Sequence, residues 1–303
     1  MVLILPTRTA ARSRVARRLF STPTPPPTPY SFHIGMLSRP KAVATKECGE
    51  GLFLPRRRMK NKSGVSFGVA DGGVDPALFS QALMFHAHRY SRSAWAGEPE
   101  VDPTLDYAER EEVEAYGGVL REKLVDAGSS TACIITLNSS NGLLRSANLG
   151  DSGFSIIRDG SILYSQPVQS HFFNCPKQLT KLPPPTGKRF TRACVDSPRE
   201  AETYKTQLCN GGYNRCLCAT DGLSDNVFPH EMGGKYALQI HFWASRTLLS
   251  VQSMADRLVI YARECMAAKS RVSPFEPRQG MFFPGDWGCS VTVIVALVRE
   301  TEA

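Results

Sequence analysis

The chain is organised around the stretch RCLCATDGLSDNV, residues 215–227. Its first part, Cys216 to Ala219, is a short apolar run and predicts a buried strand. The run leads into Asp221-Gly222, which places a carboxylate at the mouth of a strand, before a residue that turns freely. Because burying a lone carboxylate costs several kcal/mol, the side chain needs a cation, a metal ion or backbone donors as its partner. For a single Asp-Gly pair, an Asx turn that closes the strand is the better explanation.

Two other stretches repeat this pattern of an apolar run that ends in a carboxylate. They are FGVADGG, residues 67–73, and NLGDSG, residues 148–153. Turns alone do not readily explain three strand-end aspartates in one domain. Hard divalent cations such as Mg²⁺ take oxygen ligands from a few carboxylates. The sequence therefore predicts a carboxylate cluster around such ions, formed by Asp71, Asp151 and Asp221.

The positive charge of the chain is concentrated at its N-terminal end. The 303 residues carry a formal net charge of +8, but residues 1–46 hold eight basic residues and no acid. The remaining 28 Lys and Arg balance the 28 Asp and Glu, so the rest of the chain is neutral. A basic face that binds nucleic acid is therefore not expected.

The first 46 residues have the composition of a mitochondrial targeting leader. They are Arg-rich, contain hydroxyl residues and lack acids, and residues 21–29 form a Pro/Thr linker. We therefore predict a leader over residues 1–46, removed by a cleavage near residues 20–45, and a folded domain over residues 47–303. The alternative is a disordered basic tail. No run reaches the length of a membrane-spanning helix, so no integral membrane segment is expected.

The cysteines and the closely spaced histidines predict no metal site. Nine cysteines are irregularly spaced without a CxxC pair, and several lie in apolar runs, where Cys behaves as a small hydrophobe. A zinc ribbon is therefore not expected, and reduced thiols in an intracellular compartment fit best. His86 and His88 are two residues apart in a segment with a helical pattern, which favours ordinary helix residues.

The hydrophobic pattern separates helices from blocks of hairpin-joined strands. We predict a linker over residues 93–103 and an irregular surface excursion over residues 166–200. Asp75 is a candidate N-cap before Pro76. Antiparallel sheets covered by helices, an α+β architecture, are the natural result. The predicted helices cover residues 76–92, 105–125 and 248–269, and the strands cover residues 65–71, 131–137, 143–148, 154–158, 161–165, 203–208, 215–220 and 290–299.

Five stretches, taken in order along the chain, carry a resemblance to a known family. They are residues 67–80, 129–133, 147–154, 219–226 and 291–293. Their order resembles that of the metal-dependent type 2C serine/threonine protein phosphatases, and it looks most like the mitochondrial branch of that family. The resemblance covers residues 65–298, and five motifs in register make it highly specific.

The resemblance implies an αββα sandwich of two mainly antiparallel sheets flanked by helices, with a binuclear Mn²⁺ or Mg²⁺ site at one end of the sheets. In the family, the aspartate of the first Asp-Gly bridges both ions and the glycine carbonyl is a further ligand; these positions match Asp71 and Gly72. Asp221 matches a ligand of the second ion, and Asp151 matches an aspartate associated with a weaker third ion. The implied nucleophile is a metal-bound water, so no side chain is expected to attack the substrate.

The chain departs from the family pattern in three places. Gly49-Glu50-Gly51 stands where the family has Gly-Glu-Asp, and Asp71-Gly72 joins Gly73-Val74-Asp75-Pro76 without the usual intervening residues. Cys289 occupies the position of an expected metal aspartate, and Asp286 would replace it only if the loop shifts. These departures are expected to weaken the metal site. They fit either a degenerate family member or a coding sequence joined at the wrong exon boundaries.

The leading interpretation is a monomeric phosphatase of the mitochondrial matrix that acts on phosphoproteins. The alternative is a degenerate pseudophosphatase that binds phosphoproteins or a regulatory partner without turnover. A third interpretation, from composition alone, is a metal-dependent phosphohydrolase that acts on small molecules. The identity of the substrate is not readable, because substrate contacts in such folds lie on variable loops.

Overall fold

A computed structural model describes most of the chain between Tyr30 and Glu300. The described residues are 30–40, 50–53, 64–73, 76–97, 107–139, 141–158, 160–183, 195–208, 214–233, 251–268, 270–275 and 290–300. The helices in these ranges are α1 (Pro76–Gly97), α2 (Tyr107–Arg121), α3 (Asp221–Ser224), α4 (Pro229–Gly233) and α5 (Val251–Ala267). The strands are β1 (Tyr30–Pro40), β2 (Glu50–Phe53), β3 (Gly64–Asp71), β4 (Gly128–Ser130), β5 (Ala132–Asn138), β6 (Leu143–Leu149), β7 (Gly153–Arg158), β8 (Ser161–Ser165), β9 (Ser170–Phe172), β10 (Cys175–Pro176), β11 (Leu179–Lys181), β12 (Glu202–Gln207), β13 (Asn214–Ala219) and β14 (Ser290–Glu300).

Two five-stranded sheets contain most of these strands. The first sheet has the order β1-β14-β13-β7-β8, and the second has the order β12-β6-β5-β3-β2. All neighbouring strands within both sheets are antiparallel. Two small ribbons, β10-β9 and β11-β4, lie outside the large sheets.

The described helices and sheets form four layers, with a buried hydrophobic cluster between each pair of neighbouring layers. The inner faces of the two sheets meet in one cluster, which includes Phe67, Ile135, Cys218 and Ile294. The outer face of the first sheet packs against α5, and the outer face of the second sheet packs against α1 and α2. The predicted αββα sandwich is therefore the architecture of the chain.

Strand β14 explains why the C-terminal segment is almost entirely apolar. It pairs with β1 on one side and with β13 on the other, so it is central in its sheet. Val293 and Val295 belong to the cluster beneath α5, whereas Ile294 and Ala296 belong to the cluster between the sheets. A strand that is buried on both faces therefore has a nearly continuous run of apolar residues.

Strand β1 corrects the predicted domain boundary. Its residues, Tyr30–Pro40, pair with β14 along their whole length, so they belong to the folded domain and not to the predicted 1–46 leader. Ile34 and Met36 pack against the core between the sheets. A Cβ on Gly35 would lie 2.3 Å from the backbone nitrogen of Gln252, so this glycine allows α5 to approach the strand closely. β1 was not predicted from the sequence, because its apolar residues lie beside a Pro-rich, basic segment.

Two predicted connections also contain regular structure. Helix α1 extends to Gly97, so residues 93–97 are helical and do not form the predicted linker. The stretch 166–200, predicted as irregular, contains β9, β10, β11 and a short 3-10 helix, Pro198–Glu200. Helix α1 begins at Pro76 as predicted, while the candidate N-cap Asp75 lies outside the described residues.

The remaining sequence predictions concern cysteines and membrane segments. Among the described residues, Cys133, Cys175, Cys216, Cys218 and Cys265 are free thiols. The reduced compartment stays a prediction. Within the described ranges, the helices are too short or too polar to cross a membrane.

Candidate active site

The three strand-end aspartates follow strands that end at the same end of the sandwich. In the first sheet, Ala219 pairs with Gly153, so the residues before β7 and those after β13 lie at the same end. In the second sheet, β3 and β6 flank β5, and both end beside its first residues. The connection from β6 to β7, Gly150–Ser152, carries Asp151 from the second sheet to the first. The strand register therefore directs Asp71, Asp151 and Asp221 to one end of the molecule.

Asp221 is the first residue of α3, directly after β13. Thr220 precedes it and is fixed to β14 by two hydrogen bonds of 3.1 Å. The Thr220 N–H donates to the Thr292 carbonyl, and the Thr220 Oγ1 accepts from the Thr292 N–H. The Asp221 carbonyl accepts from the Asp225 N–H, which closes the first turn of α3. The aspartate is therefore held at the junction of a central strand and a helical turn.

Gly222 sets the distance between this turn and the start of β14. A Cβ at this position would lie 2.1 Å from the carbonyl oxygen of Ser290. The Gly222 carbonyl also accepts a 3.0 Å hydrogen bond from Asn226 Nδ2. Gly222 is therefore required at this position, because the backbone of Ser290 leaves no space for a side chain.

Thr131 joins the loop of Asp71 to the loop of Asp151. Its Oγ1 accepts from the Asp71 N–H at 3.0 Å and lies 2.7 Å from the Ser152 hydroxyl. The Thr131 N–H and the Ser130 hydroxyl both donate to the Asp71 carbonyl at 2.8 Å. Ser130, Thr131 and Ser152 are buried, so the bonds between them are protected from water. All three residues lie in the sequence motifs, but their spacing did not indicate this role.

Residues 166–182 run across both aspartate loops, and we call this segment the crossing segment. The Gln169 N–H donates to the Gly150 carbonyl at 2.9 Å, and Gln169 Oε1 accepts from the Gly150 N–H at 3.2 Å. Further along, Gln178 Oε1 accepts a 2.7 Å hydrogen bond from the Ser129 hydroxyl. The Ser129 carbonyl in turn accepts from the Gly73 N–H at 2.9 Å. No sequence periodicity revealed these contacts, because they join polar side chains far apart in the chain.

A cavity of about 150 Å³ lies between Asp151 and Thr220. Its walls are largely apolar, with Phe154, Leu217 and Met232 among the lining residues. Asp151 is the one charged residue among the described residues that line it. A larger cavity of about 470 Å³ lies between α1 and α2 and is lined by residues such as His86, Arg89 and Glu122. That cavity belongs to the outer helix layer, so of these two cavities the smaller one adjoins the candidate site.

An ion pair lies next to Met232, one of the residues that line the smaller cavity. Glu231 of α4 accepts a 2.5 Å hydrogen bond from Arg271 and a 3.0 Å hydrogen bond from the Tyr261 hydroxyl. Burial alone would raise the pKa of Glu231, but the bonds from Arg271, the Phe228 N–H and Tyr261 hold it below its ordinary value. Burial and the bond to Glu231 raise the pKa of Tyr261 to about 12.

The predicted metal cluster is only partly assembled by the described residues. Within the described ranges, no group of three His, Cys, Asp or Glu side chains lies close enough to hold a metal ion. Cys289 and Asp286 lie outside those ranges. The backbone of Glu50 pairs with Asp71, so the Gly49-Glu50-Gly51 motif is adjacent to the first aspartate in the sheet. The donors at this end, carboxylates and a glycine carbonyl, fit a hard divalent cation in their chemistry.

Solved structures of low sequence identity share this fold. The photosystem II phosphatase PBCP aligns with a TM-score of 0.67 at 24% identity, over 89% of this chain and 100% of that one. The catalytic domain of the serine/threonine protein phosphatase PstP, solved in complex with two manganese ions, aligns with a TM-score of 0.54 at 17% identity, over 88% of this chain and 99% of that one. The fold is therefore that of the type 2C protein phosphatases.

Relatives with higher sequence identity define the family within this class of phosphatases. The protein phosphatase PTC7 homolog fig of Drosophila willistoni is 35% identical over 247 residues, which cover 78% of this chain and 73% of that protein. The PTC7 homologs of Danio rerio and Homo sapiens are 34% and 30% identical over 277 residues, covering 89% of this chain and 86% and 84% of those proteins. No family model matches the chain. The chain belongs to the PTC7 protein phosphatases, which are protein serine/threonine phosphatases of the type 2C class.

Proposed function

We propose that this chain hydrolyses the phosphoester bonds of mitochondrial phosphoproteins with the help of bound Mn²⁺ or Mg²⁺. The observation that carries the proposal is the convergence of three strand-end aspartates at one end of an αββα sandwich. Membership of the PTC7 phosphatases supports a phosphoprotein as substrate.

The proposed ligands of a binuclear centre are Asp71, the Gly72 carbonyl and Asp221, with Asp151 at a weaker third position. When bound, such ions lower the pKa of a water molecule and neutralise the negative charge that develops on the phosphoryl oxygens. The contribution of the chain is to hold the aspartates in place: Thr131 and Ser130 fix the Asp71 loop, and Thr220 fixes the Asp221 turn to β14. The adjoining cavity has largely apolar walls beside Asp151 and Thr220.

Two alternative functions follow from the sequence. Cys289 in place of the expected aspartate and the shortened junction after Gly72 favour a pseudophosphatase that binds phosphoproteins without turnover. A small-molecule phosphohydrolase would need only the metal site and the cavity. Hydrolysis of a phosphoserine peptide and of a small aryl phosphate, each with Mn²⁺ and with EDTA, separates the three. We expect Mn²⁺-dependent release of phosphate from the peptide; binding of the peptide without turnover, or turnover of the aryl ester alone, would contradict the proposal.

The mitochondrial location is proposed from the basic, acid-free composition of residues 1–29, which precede β1. Because β1 begins at Tyr30 and pairs fully with β14, a functional cleavage falls before that residue. Mass spectrometry of the mature N-terminus after import into isolated mitochondria tests this. A cytosolic protein that retains Met1 would contradict the targeting role, and a mature chain that starts beyond Pro40 would contradict the role of β1. The matrix location and the monomeric state stay predictions.

A further inference from the structure

The smaller cavity is a recess in the hydrophobic cluster beneath α5. Four of its wall residues belong to that cluster or pack against it, and they come from four elements: Ile162 of β8, Leu217 of β13, Leu223 of α3 and Met232 of α4. Asp151 lies among the lining residues, at the end where the aspartate loops meet. The cavity therefore connects an apolar interior with the charged end of the sandwich.

Polar side chains also line the cavity, but they already have hydrogen-bond partners within the protein. The hydroxyls of Ser155 and Ser165 lie 3.0 Å apart and are bonded to each other. Gln166 makes hydrogen bonds through both the oxygen and the nitrogen of its amide. The Thr220 hydroxyl accepts from a backbone N–H, and the Ser224 hydroxyl donates to a backbone carbonyl. Because these groups are already satisfied, an apolar group can enter the cavity without leaving them unpaired.

The cavity opens to solvent between β8 and the start of the crossing segment. Val168 is 45% exposed, Ser165 is exposed, and Ile162 is half-buried, so the wall formed by these residues reaches the surface. The volume of about 150 Å³ limits what can enter. Apolar cavities of about this volume take up one group the size of benzene. A single Leu, Met or Phe side chain from another molecule therefore fits.

The cavity begins next to two of the proposed metal ligands. Asp151 lines it, and so does Thr220, which directly precedes Asp221. In an extended peptide, side chains two residues apart point to the same face and lie about 7 Å apart. A substrate that places its phosphorylated residue at the aspartates can therefore place the side chain two positions away into the cavity.

We propose that the smaller cavity is a substrate subsite, which selects phosphoproteins with a large apolar residue two positions from the phosphorylated serine or threonine. The inference rests on the proposed phosphatase function and names the substrate class of that same site. On binding, the apolar side chain leaves water and contacts walls that include Leu217 and Met232. This contact is the same before and during phosphoryl transfer, so it lowers KM and leaves kcat unchanged.

The experiment uses the full chain with Mn²⁺ and a series of phosphoserine peptides. The peptides carry Leu, Ala or Lys two positions before or two positions after the phosphoserine and are otherwise identical. Turnover gives kcat and KM, and titration calorimetry with the non-hydrolysable phosphonate analogues gives Kd without turnover. We expect Leu at one of the two positions to lower both KM and Kd about 10-fold relative to Ala, with little change in kcat.

Two substitutions of Val168 test whether the cavity causes this preference. Val168→Asn makes the opening polar, and Val168→Phe narrows it. The matched controls are Leu163→Asn and Leu163→Phe, since Leu163 is 54% exposed on β8 and is not among the described residues that line the cavity. We expect V168N and V168F to bind the Leu and Ala peptides equally, whereas L163N and L163F keep the preference for Leu. Thermal melts of all four variants show which of them are folded, and either folded Val168 variant is sufficient for the test.

Equal Kd values for the Leu and Ala peptides at both positions would overturn the inference. A preference for Lys would also overturn it, because the charge of Asp151 and not the apolar wall would then select the peptide. So would a preference for Leu that persists in a folded Val168 variant. A wild type that binds the Leu peptide more tightly but hydrolyses no peptide would contradict the proposed function while supporting selection by the cavity. Because Kd is measured without turnover, the two failures are distinguishable.

Discussion

Gly222 illustrates how a single residue fixes the geometry next to Asp221. The carbonyl oxygen of Ser290 occupies the space where any other residue would place its Cβ. The Asp-Gly pair that looked like a simple turn in the sequence therefore serves to bring β14 against the aspartate. The turn chemistry was readable from the sequence, but the contact partner, 68 positions further along the chain, was not.

Replacing Gly222 by Ala should destabilise the protein by about 1–3 kcal/mol, since backbone must move to admit the methyl group. The matched control is Gly117→Ala in α2, where the new Cβ would lie 3.3 Å from the flexible end of Arg121. That change should be neutral or stabilising by up to about 1 kcal/mol, because Ala favours the helix. Urea denaturation of both variants is the measurement. Equal stability of the two variants would show that α3 is not tightly packed on β14.

Cys289 is the residue whose substitution most directly addresses the strength of the metal site. A thiol is a poor ligand for a hard cation, so the resemblance predicts weak metal affinity and low turnover for this chain. Cys289→Asp should tighten Mn²⁺ binding and raise activity, in part only, because the junction after Gly72 stays short. Titration calorimetry and thermal melts with and without Mn²⁺ measure both effects. Lower stability in both conditions, without a gain in affinity, would mean that position 289 has no part in metal binding.

Among the elements, α5 and β14 were predictable from the sequence, whereas β1 and the contacts of the crossing segment were not. The apolar patterns of α5 and β14 predicted both elements to within three residues of their ends. Each pattern lies within one continuous stretch of sequence, so it can be recognised without knowing the partners of the element. β1 depends on pairing with the far end of the chain, and the crossing segment depends on hydrogen bonds from Gln169 and Gln178. Long-range pairing and polar contacts leave no periodic signal in the sequence.

The pairing of α4 with the loop after α5 makes a pH-dependent contribution to stability. Glu231 has a lower pKa in the folded state than its ordinary value of 4.5. The unfolded state therefore takes up the proton at a higher pH than the folded state, and acidification favours unfolding. The stabilisation should be complete above about pH 4.5 and should be lost as the pH falls through the folded-state pKa. Glu231→Gln should remove this part of the pH dependence.

The matched control for that prediction is Glu264→Gln, an exposed glutamate on α5. Urea denaturation at pH 6 and at pH 3.5 should show a smaller loss of stability on acidification for E231Q than for the wild type and E264Q. If E231Q and the wild type lose the same free energy of unfolding between these values, the ion pair with Arg271 does not contribute to stability.

Across the whole molecule, the order of motifs was the strongest predictor of the fold. Each Asp-Gly or Gly-Asp stretch ends a strand, and the αββα arrangement brings those ends to one end of the sandwich. The class of protein and the positions of Asp71, Asp151 and Asp221 along the strands were therefore predictable. The links between the loops, through Thr131 and through the crossing segment, were not, because side chains that meet in space have no fixed spacing in sequence.

The most direct test of the account is Mn²⁺-dependent release of phosphate from a phosphoserine peptide by the wild type and by Asp221→Asn. Asp126→Asn, an exposed aspartate after α2, serves as the matched control. We predict turnover that EDTA removes in the wild type and in D126N, and loss of both Mn²⁺ binding and turnover in D221N, with all three proteins folded. Turnover by D221N at the wild-type level, or turnover by the wild type that persists in EDTA, would contradict the assignment of the site.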